Sequence, residues 1–185
     1  AGNPEFFELV IKVVDLQERS YTECPEFTID RSKQYSATLE TSQGDVVVEL
    51  YADKAPTTVN SFVFLANDGW FDNIPFHRVI PGFVAQTGDP SGSGIGSPGY
   101  IFGNEINDLL YDGPGVVGMA NSGPDTNGSQ FFITYDAVPQ LDGGYTIFGK
   151  VIEGMENVEA LTAVDPQQGI TGEPDTLISV TIEEK

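Results

Sequence analysis

The stretch Phe76-His77-Arg78-Val79-Ile80-Pro81-Gly82-Phe83-Val84-Ala85-Gln86-Thr87-Gly88-Asp89 holds two short runs of β-branched and aromatic residues, 76–80 and 83–87, parted by Pro81-Gly82. That punctuation predicts two short strands joined by a turn. The same stretch contains the only histidine of the chain and, between residues 55 and 149, the only basic side chain, Arg78. A guanidinium offers five fixed donors and keeps its charge, so partial burial among apolar neighbours is costly unless it meets a carboxylate or a ligand. Nine acidic residues share the interval 55–149, and an ion pair with one of them is the structural reading of Arg78. Contact with a ligand is the functional reading.

Strand signals recur on both sides of this segment. Residues 35–41 and 45–51 are β-rich and are joined by Ser42-Gln43-Gly44, a hairpin signal. Further runs lie at 116–119, 130–134, 146–151 and 177–182, separated by Gly, Pro and Asn clusters. Between the first hairpin and the Arg78 segment, Val59, Phe62, Val63 and Ala66 fall at helical spacing behind Pro56, and Asp68-Gly69 closes that helix. Residues 155–163 are a second candidate helix. Many short strands with few helices predict an antiparallel closed barrel or a sandwich. Residues 6–16 fit either a short helix or an edge strand, and 17–33, polar and broken by Pro25, read as a connecting segment.

Composition excludes several roles. The 185 residues are 39% hydrophobic, enough for one domain with a real core, and carry a formal charge of −20. That charge repels phosphate backbones and anionic membrane surfaces, so nucleic acid is not an expected partner. No run approaches the length of a membrane span. A single cysteine, Cys24, rules out an internal disulfide. The start, Ala1-Gly2-Asn3-Pro4, lacks Met and looks processed; with the acidity, it gives the expectation of an exported, extracytoplasmic bacterial protein, the cytoplasm being the alternative.

Familiar catalytic patterns fail in turn. The Gly-rich stretch 92–99 lacks the lysine of a phosphate loop, and Pro98-Gly99 stops a helix from starting there, so it reads as a surface loop. One His and one Cys cannot build a usual zinc site, and no serine near His77 sits in a nucleophile elbow. Asn127-Gly128-Ser129 matches a glycosylation sequon by chance. His77 should face the opposite side of its strand from Arg78, as a core or hydrogen-bonding residue. Gln86, Asn121 and Gln130 stand out because they are polar residues inside apolar runs, where a buried group needs a partner.

Two longer strings remain, Gly118-Met119-Ala120-Asn121-Ser122-Gly123-Pro124-Asp125-Thr126-Asn127-Gly128-Ser129-Gln130-Phe131-Phe132-Ile133 and Leu141-Asp142-Gly143-Gly144-Tyr145-Thr146-Ile147-Phe148-Gly149-Lys150-Val151. Together with the Arg78 segment they resemble the cyclophilin family of peptidyl-prolyl isomerases. The resemblance covers residues 35–184 and leaves 1–34 as an N-terminal extension to a 35–185 domain, in a bacterial-like member. It implies a mainly β fold, an eight-stranded antiparallel closed β-barrel capped by two α-helices, with a substrate groove on its outer face.

Carried over by position, it implies a catalytic group of Arg78, Gln86 and Asn121. Phe83, Val84, Phe132 and Leu141 become the proline pocket, with Ala120, Ser122, Gln130 and Tyr145 completing the peptide-binding surface. Tyr145 stands where the family often has histidine, and Gln140 where cyclosporin-sensitive members have tryptophan, so cyclosporin binding is expected to be weakened. The implied activity is cis-trans isomerisation of X-Pro bonds in polypeptides, with no cofactor and no metal, by a monomer. A proline-peptide binding module with little catalysis is the alternative, and a hydrolase is a distant third.

Overall fold

The computed structural model describes residues 20–185; the 6–16 segment lies outside the described residues. Nine strands, β1 (Tyr35–Thr41), β2 (Gly44–Leu50), β3 (Ile74–Pro75), β4 (Arg78–Ile80), β5 (Val84–Thr87), β6 (Val116–Met119), β7 (Phe131–Thr134), β8 (Ile147–Glu153) and β9 (Thr176–Glu184), form one sheet. Its order is β3-β9-β1-β2-β8-β6-β7-β5-β4, with neighbours antiparallel throughout. The two ends of that order, β3 and β4, are separated in sequence only by Phe76 and His77. They are halves of one interrupted strand, so the sheet returns to the segment on which it began. The expected eight-stranded barrel is therefore present, with one strand interrupted at 76–77.

Period-two burial explains why the sheet curls around a core. On β1 and β2 the inward set is Ala37, Leu39, Val46 and Val48, paired Ala37 with Val48 and Leu39 with Val46. The barrel is filled by aromatic rings: Phe62 lies 5.1 Å from Phe71 and 5.4 Å from both Phe131 and Phe148, centroid to centroid. Phe62 comes from helix α1 (Pro56–Asn67), which plugs one end of the barrel with its apolar face. Pro56 opens the helix, and the Glu105 carboxylate, from a distant loop, accepts the Thr57 and Thr58 amides at 2.9 and 2.8 Å. A negative group thus satisfies orphan donors at the positive end of the helix dipole.

The second helix, α2 (Met155–Glu159), is shorter than the predicted 155–163. Beyond it the chain bends so that Leu161 and Val164 turn inward, and Val164 then exchanges two backbone hydrogen bonds with Val79 (2.6 and 3.0 Å). That tertiary pairing outweighs local helical spacing.

The segment before β1 is laid across the barrel as a strap. The Tyr21 ring packs 5.1 Å from Phe64, 5.8 Å from Trp70 and 6.2 Å from Tyr100. Its amide donates to the Pro98 carbonyl (2.8 Å), and Gly99 is compulsory beneath it, since a Cβ there would lie 2.3 Å from the Tyr21 carbonyl oxygen. Farther on, the Asn60 side chain in α1 accepts the Thr28 amide (2.8 Å) and donates to the Glu26 carbonyl (2.9 Å), while Ile29 is buried. No helix among the described residues is long and apolar enough to cross a membrane.

Candidate active site

The register of four strands builds the site. Arg78 on β4 pairs with Gln86 on β5, Gln86 with Phe132 on β7, and Phe132 with Gly118 on β6. Cross-strand partners share a face, so these four residues form one row on the outside of the barrel. The adjacent row, Val79, Ala85, Ile133 and Val117, points into the core. A slip of one residue would exchange the two rows and bury the arginine.

Around the outward row lies a shallow pocket of about 110 Å³, lined by Arg78, Phe83, Val84, Gln86, Ala120, Asn121, Phe132, Leu141 and Tyr145. A second apolar cluster supports its floor: Val84, Tyr111, Val116, Phe132, Val138 and Ile147 are buried there, apart from the barrel core. Phe132 is held between Tyr111, at 5.6 Å, and Tyr145, which meets it edge-on at 5.9 Å. Gly118 makes this possible, because a Cβ at that position would lie 2.1 Å from the Tyr111 hydroxyl and 2.7 Å from Phe132 Cζ. Leu141 reaches the pocket from a single 3₁₀ turn, Pro139–Leu141.

Beside it opens a larger pocket of about 320 Å³, sharing Gln86, Ala120 and Asn121 and adding Ser122, Gln130 and the loop residues Gly94 to Ser97. All eleven residues expected from the sequence therefore line one of two adjoining pockets, nine the smaller and the remaining pair the larger. The polar ones have the partners their burial demands. Gln86 Nε2 donates to Gln130 Oε1 (3.0 Å), and Gln130 Nε2 donates to the Gly94 and Gly96 carbonyls (3.1 and 2.9 Å). Asn121 donates to the Gly144 carbonyl (3.3 Å) and accepts the Gly123 amide (3.2 Å).

The Gly-rich segment is the surface loop expected, and it forms the wall of the larger pocket. Its organiser is Asp89, fully buried, whose carboxylate accepts the amides of Ser91 (2.8 Å), Gly94 (2.7 Å) and Gly96 (3.0 Å) and the Ser91 hydroxyl (2.7 Å). Burial alone would raise this carboxyl; the hydrogen bonds from Ser91, Gly96 and Gly94 outweigh it and hold the group below its ordinary value. Gly96 has no alternative, since a Cβ there would sit 1.9 Å from Asp89 Oδ1.

The carboxylate beside Arg78 comes from outside the 55–149 interval. Asp165 Oδ2 is 3.7 Å from Arg78 Nε, and the arginine Cζ stands 5.7 Å over the Phe83 ring. Arg78 keeps 28% of its side-chain surface exposed, whereas Asp165 keeps 1%. His77 is buried in the core sense expected, and its ring nitrogens have no hydrogen-bond partner among the described residues. Burial, aided by Arg78 and opposed by Asp89, pushes its pKa below the ordinary value. Asn127 of the sequon is fully buried and donates to the Gly103 carbonyl and to Asn104 Oδ1, both at 3.0 Å.

Sequence reading missed Asp165, Tyr111, Gly118 and Asp89 as parts of this architecture. Only Asp89 left a signal, an acid directly before a run of Ser and Gly whose amides need an acceptor.

The family model described as cyclophilin type peptidyl-prolyl cis-trans isomerase/CLD matches residues 36–184. Among curated relatives, peptidyl-prolyl cis-trans isomerase-like 1 of Emericella nidulans is 50% identical over 131 residues, which is 69% of this chain and 81% of that protein. Peptidyl-prolyl cis-trans isomerase-like 2 of Cryptococcus neoformans is 44% identical over 165 residues, 84% of this chain; the match spans only 29% of that longer protein. A crystal structure of a Cryptosporidium parvum cyclophilin type isomerase superposes with a TM-score of 0.74 at 37% identity, covering 82% of this chain and 98% of that one. The same protein has been crystallised in the presence of the dipeptide Ala-Pro. These relatives are fungal and protist and lend no support to the bacterial-like character expected from the sequence. By the extent of the family match and the identity of its relatives, the chain belongs to the cyclophilin type peptidyl-prolyl cis-trans isomerases.

Proposed function

We propose that residues 35–185 catalyse cis-trans isomerisation of X-Pro bonds in polypeptides, with the preceding residues as an extension. One observation carries the reading: the row Arg78, Gln86 and Phe132 places a strong cationic donor beside an apolar floor, within one small pocket. The Ala-Pro dipeptide used with the C. parvum relative is a minimal ligand of the matching chemistry.

An X-Pro amide resists rotation because the nitrogen lone pair is shared with the carbonyl, giving a barrier of about 18–20 kcal/mol. In the twisted transition state the nitrogen becomes pyramidal and recovers a localised lone pair. A donor aimed at that nitrogen strengthens only at the twist, which is what lowers a barrier rather than deepening the bound ground state. Arg78 is the donor. Phe83, Val84, Phe132 and Leu141 hold the pyrrolidine ring, while Gln86, Asn121 and the Ala120 to Ser122 segment hold the flanking backbone, so rotation is confined to one side of the bond. An acceleration of about 10⁵-fold needs only about 7 kcal/mol from these effects.

Arg78→Ala should cut kcat/KM on an Ala-Pro peptide by about two orders of magnitude, the usual effect of losing one transition-state donor, with an unchanged circular dichroism spectrum. An unchanged rate would remove Arg78 from the reaction; a chain that binds such peptides with no isomerase activity would be a proline-binding module.

Weakened cyclosporin binding is proposed on Gln140, exposed and next in sequence to Leu141, and on Tyr145, which lines the pocket, and submicromolar affinity by calorimetry would contradict it. An extracytoplasmic setting is proposed on the charge of −20, and fractionation of the native host tests it.

A further inference from the structure

Arg78 is held from two directions. Phe83 lies under the face of the guanidinium, and Asp165 stands at its Nε edge. The remaining N–H groups are those left to serve the pocket that Arg78 lines. We propose that Asp165 is a positioning residue for Arg78, fixing the plane of the guanidinium so that its free edge faces the substrate nitrogen; this rests on the reading of Arg78 as the donor.

Asp165 is built for that task. Its backbone follows Val164, which is tied by two hydrogen bonds to Val79, the neighbour of Arg78. Its own amide and carbonyl exchange hydrogen bonds with Ile170 (both 2.9 Å), closing a tight loop. Its carboxylate is anchored by the Gln167 amide at Oδ1 (3.1 Å) and by Gln168 Nε2 at Oδ2 (2.8 Å). A carboxylate so fixed and only 1% exposed cannot follow a wandering arginine; the arginine must come to it. The two groups are too far apart for a hydrogen bond, so the pairing is coulombic, and in this poorly solvated setting a charge 3.7 Å away is felt strongly. Long flexible side chains lose catalytic power when misplaced by an ångström, which makes orientation worth a dedicated residue.

The test compares Asp165→Asn with Arg78→Ala and wild type on the same X-Pro peptide. Asn keeps the shape and the acceptor for the Gln167 amide but removes the charge. The proposal expects kcat to fall about tenfold in Asp165→Asn with KM within about twofold, and Asp165→Glu to recover part of the loss. Wild-type kcat in Asp165→Asn alongside an inactive Arg78→Ala overturns the positioning role and leaves the function standing. Full activity in Arg78→Ala overturns the positioning role together with the reading of Arg78 as the donor, while the isomerase activity stands. Should Asp165→Asn fail to fold, the wild-type protein decides by nitrogen-15 NMR. The relaxation-derived order parameter of the Arg78 Nε–H is expected to lie well above that of exposed Arg31, and equal values overturn the proposal.

Discussion

Gly118 carries no functional group, yet the pocket depends on what it lacks. The Tyr111 hydroxyl and the Phe132 ring occupy the volume that its Cβ would fill, and Tyr111 is fully buried. Gly118→Ala should therefore behave as overpacking, costing about 1–3 kcal/mol, and should push Phe132 into the space proposed for a proline ring. The expected outcome is a lower melting temperature together with a raised KM for X-Pro peptides, measured by calorimetry and a peptide isomerisation assay. Gly113→Ala is the control: nothing among the described residues lies within 4 Å of a Cβ there, and its melting temperature should match wild type. An unperturbed Gly118→Ala would mean that Tyr111 and Phe132 can shift, and that the floor is softer than its packing implies.

The strap made of residues 20–34 contributes a testable amount to the barrel. Tyr21 covers Trp70, the only tryptophan, which is 2% exposed, so the emission of that indole reports on the strap. Tyr21→Ala should cost about 1–3 kcal/mol, less than truncating a fully buried aromatic, and should shift the Trp70 emission to longer wavelength with faster quenching by acrylamide. An unchanged spectrum would show that the strap does not shield Trp70 in solution. This element was illegible in the sequence for a physical reason: a polar segment docked through one aromatic ring, the single buried Ile29 and a few hydrogen bonds to its backbone has no hydrophobic period to read. β1 was legible because a half-buried strand must alternate, and β6, buried at all four positions, because a short apolar run stood between turn residues; the runs at 35–41 and 116–119 coincide with these two strands, and the others differ at their ends. β3 escaped because Ile74–Pro75 is too short to show any period. The outward row was visible only residue by residue through the family motif, and Asp165 not at all, since long-range pairing brings it to Arg78 across the Val79–Val164 bridge.

A chain with 28 acidic and 8 basic side chains should gain stability from salt near neutral pH, because screening relieves its self-repulsion. Its buried titrating groups give the opposite lesson on acidification. Burial lowers the His77 pKa below its ordinary 6.5, so the unfolded chain takes up that proton first and stability falls as pH drops through 6.5. Asp89 and Asp175 are held below the ordinary 3.8, Asp175 by hydrogen bonds from Ser42, Thr162 and Gln43 that overcome its burial. Their contribution is complete above 3.8 and is lost as pH falls through that value to their lower folded values. Both signs agree, so the melting temperature should decline in two stages between pH 8 and pH 3. Acid also removes net negative charge, which works the other way, and the measurement belongs at about 1 M salt, where the screening length is about 3 Å and surface repulsion is small. His77→Phe replaces two buried nitrogens that have no partner among the described residues with apolar surface and should abolish the upper stage alone, leaving the carboxylate stage in place. A wild-type melting temperature that stays level from pH 7.5 to 5.5 would mean that His77 gains a proton as readily folded as unfolded, and the imidazole would then have to be reaching solvent or a carboxylate through a rearranged 90–96 loop.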